Sequence, residues 1–298
     1  MLSVLDFITA VYILVDDLAQ TVLRGVRLRR RGVAPRLSDS EVITMEIVGE
    51  VLQIDEDKGL YNYFRQHWQP LFPGLGSRSA FVRQAANLWH VKQLVHQALI
   101  ELLAVVTSTV HIIDAFPIRV CRKARANRCR IFKGEAARSY CASQKEHYYG
   151  FKGHLLVNDE GLIQSLLLTP GNVDDRAPLL GLSATIRGVL IGDKGYIDLQ
   201  KWQWLWQLGV QLKTPIRKNM APRPAATASR GQKRRRKIVE TVISQLEQRF
   251  NIGTVKARDS WHLTNRITRK VLAHTILCAF NYILDREPLH HDGLVAIS

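Results

Sequence analysis

Three carboxylates stand at the edges of apolar runs. Asp114 closes "VHIID", Asp193 closes "VLIGD", and Glu240 lies at the margin of a helical stripe made by Val239, Val242, Ile243, Leu246 and Phe250. The acids are 79 and 47 residues apart along the chain. In an open sheet, residues at the carboxyl ends of strands gather at one crevice, and a helix packed across that edge can add a third acid. Three carboxylates at one point repel, and their pKa values rise unless a cation joins them. A hard divalent ion with oxygen ligands is the natural partner. Two Mg²⁺ ions roughly 3.5–4 Å apart can hold the attacking and leaving oxygens of an in-line phosphoryl displacement. The simpler reading of Glu240 is an ion pair with Arg236, one helical turn earlier.

The charge balance suits a polyphosphate substrate. The 298 residues include 42 Lys and Arg against 26 Asp and Glu, a net charge of +16. Such an excess in a globular chain points to a polyanion, with nucleic acid first and an acidic membrane surface second. Basic runs at 24–31, 119–130 and 230–237 favour phosphate contact over a merely solvated surface. No segment reads as a membrane span. "MLSVLDFITAVYILVDD" is interrupted by Asp6 and has no preceding cations, which makes it a poor signal peptide. "VLAHTILCAFNYIL" is too short to cross a bilayer and carries His274 and Asn281. Four cysteines fit reduced thiols, so the expected compartment is the cytoplasm.

The elements that must position the acids follow from periodicity. Residues 4–24 have an apolar face at helix spacing, and Ser38 with Glu41 forms a capping box for a second helix. Prolines and glycines at 70–76 break the chain, and residues 77–106 resume as one long helix. Near residue 108 the character changes to β-branched runs. "GFKGHLLVND" and "GLIQSLLLTPG" predict a hairpin turning at 158–161. "RGVLIGDKGY" predicts a short buried strand, "LQKWQWLWQLG" a helix closed by Gly209, and "VQLKTPI" another strand. A Pro- and Ala-rich loop, 219–232, precedes the helix of Glu240. This is an α/β order behind an all-helical, basic first hundred residues.

In that order, "IIDAFPIRVC", "YYGFKGHLLVND", "LTPGNVDDR", "LIGDKGY", "KTPIRKNM" and "RRRKIVETVISQL" resemble the DDE transposases of bacterial insertion sequences. The nearest likeness is to the insertion-sequence family numbered nine hundred eighty-two. It spans about residues 108–283, with weaker support from "PRLSDSEVITMEIV". The resemblance implies a ribonuclease-H-like core, a mixed five-stranded sheet flanked by helices. It divides the chain into a DNA-end-binding helical domain at 1–106, a catalytic domain at 107–283 and a tail at 284–298. It makes Asp114, Asp193 and Glu240 the metal-binding catalytic triad, with Asp114 touching both of two Mg²⁺ ions that Mn²⁺ can replace. Arg236 matches the signature arginine near the third acid and is expected on a phosphate. DNA contacts are also expected from Lys194, Arg119, Arg122, Arg234, Arg235, Lys237 and Lys152, with the 24–31 run recognising element ends. The implied reaction frees a 3′-hydroxyl at each inverted repeat and joins it to target DNA. A homodimer on paired double-stranded ends, at the bacterial nucleoid, is implied with it. Two positions depart from the pattern: Glu247 stands where many relatives carry Lys, and Lys233 where many carry Tyr. Arg249 or Lys256 could supply the missing lysine contact.

Rival readings attach to the same residues. Asp174 and Asp175 read better as a cap and first-turn charge for a helix through Leu179 than as metal ligands. Cys121, Cys129, Cys141 and His147 have irregular gaps and no C-x-x-C, so free thiols are expected there rather than zinc. Trp202, Trp204 and Trp206 cannot all face one way on a helix. A glycosidase also uses two carboxylates, but neutral sugars do not call for +16. A catalytically silent or domesticated DNA-binding protein is the alternative to the enzyme.

Overall fold

The computed structural model describes residues 1–296 apart from Arg27, Arg30, Ser143, 216–226 and Val255. Most of the "KTPIRKNM" motif, part of the 219–232 loop and two arginines of the first basic run therefore lie outside the described residues. Five helices open the chain: α1 (Val4–Val22), α2 (Asp39–Val51), α3 (Asp57–His67), α4 (Arg78–Asn87) and α5 (Trp89–Leu102). Strand β1 (Val110–Arg122), helix α6 (Lys123–Ala126), β2 (Ala137–Cys141), β3 (Glu146–Asn158) and β4 (Ile163–Pro170) follow. Then come α7 (Leu179–Leu182), β5 (Gly188–Ile191), α8 (Leu199–Gln207), β6 (Val210–Lys213), α9 (Arg230–Arg235), α10 (Lys237–Gln248) and α11 (Ser260–Ile283). The chain forms two compact units. One holds residues 1–102, 248–251 and 257–298, and the other holds 103–247 and 252–256.

The helical unit is built around α2, which is buried on nearly every side. Its capping box forms as expected: Glu41 N–H donates to Ser38 Oγ at 3.1 Å, and Ser38 N–H donates to Glu41 Oε2 at 2.6 Å. A helix buried all round cannot hide its polar face, so its acids need partners. Glu46 pairs with Lys92, and Glu50 pairs with Arg269 and Lys270. Helix α11 supplies those last two cations and packs against α2, α4 and α5. Residues 260–283, expected with the catalytic domain, thus belong to the helical unit. The expected tail is integrated as well: Leu294 and Val295 are buried, and Leu2 N–H donates to Leu294 O at 2.8 Å. The long helix expected over 77–106 is two helices. The backbone of Leu88 leaves the helical region at φ −93° and ψ 8°, and its side chain is buried.

The other unit is a six-stranded mixed sheet with the path β2-β3-β1-β5-β6, β4 pairing with the second half of β3. β1 and β3 are antiparallel, while β1–β5 and β5–β6 are parallel. The hairpin of β3 and β4 turns where expected, with Asn158 N–H donating to Leu162 O at 3.1 Å and Gly161 at φ 85°. One face buries Ile113, Leu156, Leu190 and Leu212 with Leu179 and Leu205 from the helices. On α8, Trp202 packs on this core and stacks on Trp206, while Trp204 and Trp206 are half-exposed.

Candidate active site

Asp114 does not end its strand. β1 runs on to Arg122, and Asp114 sits within it opposite Leu155 of β3. What ends is the neighbour. The parallel register pairs Ile112 with Ile191, the last residue of β5. Two residues further along each chain bring Asp114 level with Asp193, on the face shared with Ile112 and Ile191. Past Ile112 the β5 side of β1 has no strand partner and is covered by Ile252–Thr254, and on this unpaired side Pro117, with no N–H to donate, is tolerated. Of the two strands only β5 ends at this level, while β1 runs on past Asp114.

Asp193 keeps extended backbone and accepts the Gly195 N–H on Oδ1 at 2.6 Å, which fixes the direction of its carboxylate. Glu240 lies in the first turn of α10, where an acid also favours the helix dipole. That helix is anchored by Val239, Val242 and Leu246, all fully buried, at about 1.5–3 kcal/mol each. The run that opens it is broken at Arg236, which ends α9.

Arg236 joins the acids. Its Nη2 meets Glu240 Oε1 at 2.5 Å, the helix pair expected on the simpler reading, and its Nη1 reaches Asp114 Oδ2 at 3.3 Å. Burial pushes the Asp114 carboxyl up to about 6. The Ala115 N–H and Arg236 oppose the rise, and Asp193 and Glu240 add to it. Among the described residues, His274, Cys278 and His291 are the set of His, Cys, Asp or Glu side chains whose ligand atoms all lie within 4.8 Å of one another. The three acids are spaced more widely, with a guanidinium between two of them.

Sequence reasoning placed Asp174 and Asp175 together as helix-capping charges, and the structure separates them. Asp174 closes a turn, accepting from the backbone and guanidinium of Arg176. Asp175 instead takes Lys152 Nζ at 2.7 Å, and it flanks Gly195 with Asp193. Nearby, the Tyr196 hydroxyl is buried without a hydrogen-bond partner, its pKa raised by burial and then by Asp114, Asp175 and Asp193. A fourth acid and an orphan hydroxyl therefore lie near Asp193. Their signal in the sequence lies in "DDR" and "GDKGY".

The expected DNA contacts divide. Arg122, Lys194, Arg234, Arg235 and Lys237 are exposed, with Arg235 3.7 Å from Asp159. Lys152 is held in the wall by Asp175 and Val173 O. Arg119 is mostly buried, 3.5 Å from Glu146 and over the Tyr148 ring, and it faces Glu247. Burial raises the Glu247 carboxyl and Arg119 opposes the rise. Arg249, one candidate for the missing lysine, pairs with Asp292 in the helical unit. Cys121, Cys129 and Cys141 are not joined in disulfides. No described helix is long and apolar enough to cross a membrane.

Residues 105–260, just over half of the chain, match the family model described as "Transposase DDE domain". The mixed sheet flanked by helices is the ribonuclease-H-like core of such a domain, preceded by the helical region. No curated protein and no solved structure matches the chain.

Proposed function

The chain belongs to the transposase DDE-domain family, and from that premise we propose that Asp114, Asp193 and Glu240 form a triad that cuts and joins DNA. The observation that supports this best is the Arg236 guanidinium between Asp114 and Glu240. The acids have drawn in a cation, and Asp114, largely withdrawn from water, has the strongest need of one. The donor set fits two Mg²⁺ ions, with Mn²⁺ as a substitute. It consists of carboxylate oxygens, beside a buried tyrosine hydroxyl that lacks a partner. Asp114 would hold both ions, and Asp193 and Glu240 one each. Bound there, they supply charge to the attacking and leaving oxygens of a phosphodiester.

The chain's own groups do the rest. With the acids neutralised, Arg236 is released to donate its planar fork to a phosphate near the cut. Exposed Arg122, Lys194, Arg234, Arg235 and Lys237 hold the strand. Lys152 fixes Asp175, and Arg119 contributes cationic charge where Glu247 replaces the lysine of many relatives. Water attacks at the inverted repeat and frees a 3′-hydroxyl, which then attacks target DNA. The helical unit and its arginine-rich segment recognise the element ends. Two copies act on paired ends, in the cytoplasm at the nucleoid.

The test uses purified protein, Mg²⁺ or Mn²⁺, and labelled DNA carrying the inverted repeats that flank the gene. Nicked and joined products are expected, and Asp193→Asn should abolish them while leaving binding intact. Binding without cutting under all metals would assign a silent DNA-binding protein instead. Absence of both would reject the substrate.

A further inference from the structure

Three donors meet in the helical unit, away from the acids. His274 and Cys278 lie one turn apart on α11, and His291 reaches them from the C-terminal segment. Cys278 Sγ is 3.4 Å from His291 Nε2 and 3.7 Å from His274 Nδ1. All three side chains are buried, His291 with 5% of its surface exposed. In a tetrahedral zinc site with Zn–S near 2.3 Å and Zn–N near 2.05 Å, a sulfur and a nitrogen ligand stand roughly 3.6 Å apart. Both observed separations fall at that value. Without a metal the sulfur can donate its hydrogen to one ring and accept an N–H from the other, so it is the shared spacing of the three donors that points to a metal.

The cluster is also preorganised. Asn281 Nδ2 donates to Pro288 O at 3.1 Å and to His290 O at 2.9 Å, which pins the returning segment onto α11. His291 Nδ1 is buried with no hydrogen-bond partner, so the ring is held through Nε2 at Cys278 alone. The surrounding charges are mixed. Arg249 acts against a cation at both histidines, His96 and His290 each lie near one of them, and Asp292 favours a cation.

We propose that His274, Cys278 and His291 bind one zinc-class divalent ion that staples the C-terminal segment to α11. The Cys278 thiol gives its proton to solvent as the sulfur–metal bond forms, and the thiolate charge offsets Arg249. The fourth position is left to water. The carboxylate triad plays no part in this site, so the two readings stand or fall separately.

Cobalt titration of the full-length protein tests it, because Co²⁺ bound by a thiolate gives an intense near-ultraviolet charge-transfer band that carboxylates cannot produce. One equivalent should saturate the band. A Cys121→Ser, Cys129→Ser, Cys141→Ser triple variant should keep it, and Cys278→Ser should lose it. His291→Ala, off the helix and checked for folding by circular dichroism, should weaken Co²⁺ binding by at least about 100-fold, beyond what losing an outer-shell partner costs. The wild-type Tm should also rise with Zn²⁺ concentration. No band in the folded wild type, a band that survives Cys278→Ser, or a Tm indifferent to Zn²⁺ would each overturn the site.

Discussion

Gly195 separates Asp193 from Asp175, and replacing it with alanine asks whether Asp193 works where it stands. A methyl at 195 would lie 2.9 Å from Asp193 Oδ1 and 3.6 Å from Asp175 Oδ2. The backbone there has no positive φ, so alanine brings no conformational strain of its own. The first contact is too close, and the Asp193 carboxylate must retreat by about 0.5 Å or release the Gly195 N–H. That distance is the tolerance within which a catalytic group must be held, and a misplacement of about 1 Å costs up to ~100-fold. The fold can absorb the methyl, because the atom it meets ends a side chain. Single-turnover nicking of a labelled element end should therefore slow by about 10- to 100-fold, or ~1.4–2.7 kcal/mol of barrier. DNA binding should stay within about twofold, and Tm within ~2 °C. Cutting at the wild-type rate would refute the assignment of Asp193 to the chemistry. A collapse of Tm would show that the fold, and not the carboxylate, takes up the clash.

Arg236→Gln removes a cation that competes for Asp114 and Glu240, so Mg²⁺ should bind more tightly while cleavage falls and the salt slope of DNA binding drops by about 1. Tighter metal binding with undiminished cleavage would remove Arg236 from the phosphate. Lys92→Met leaves Glu46 buried and short of its partner, and denaturant melts should show a loss of about 3–5 kcal/mol. Adding Glu46→Leu should recover part of it, and failure to recover would mean that packing, not charge, sets the cost. His154, fully buried in β3, is held down to about 4 by burial, which Asp175 opposes and Lys152 reinforces. Protonation then favours the unfolded chain, whose histidines titrate near ~6.5. His154's contribution should be complete above that pH and decline as pH falls to about 4, by up to ~1.4 kcal/mol per pH unit. His154→Gln should flatten the acid limb of the stability curve by that share, and an unchanged limb would reject the reading.

Local pattern carried the secondary structure a long way. The capping box at Ser38 and Glu41, the hairpin turning at 158–161 and the stripe of α10 are all short-range signals, set by caps, turn residues and apolar period. The expectation of a single helix over 77–106 failed at Leu88 because periodicity does not register one residue leaving the helical region to bury its side chain. Residues 260–283 were misplaced for a different reason. Their role depends on buried Glu46 and Glu50, more than 200 residues earlier, which Arg269 reaches and Lys270 partly shares.

The order of motifs in the sequence was enough to nominate Asp114, Asp193, Glu240 and Arg236 and to predict the mixed sheet, because those signals are local. Only the tertiary structure decided that Asp175 turns from a helix start to Lys152, that Glu247 faces Arg119, and that His291 returns to His274 and Cys278. Each of these meetings joins residues far apart in the chain, or turns a side chain away from its nearest element. The register of β1 on β5 and the return of the C-terminal segment set such distances. They come from packing over the whole unit, which no short stretch of residues encodes.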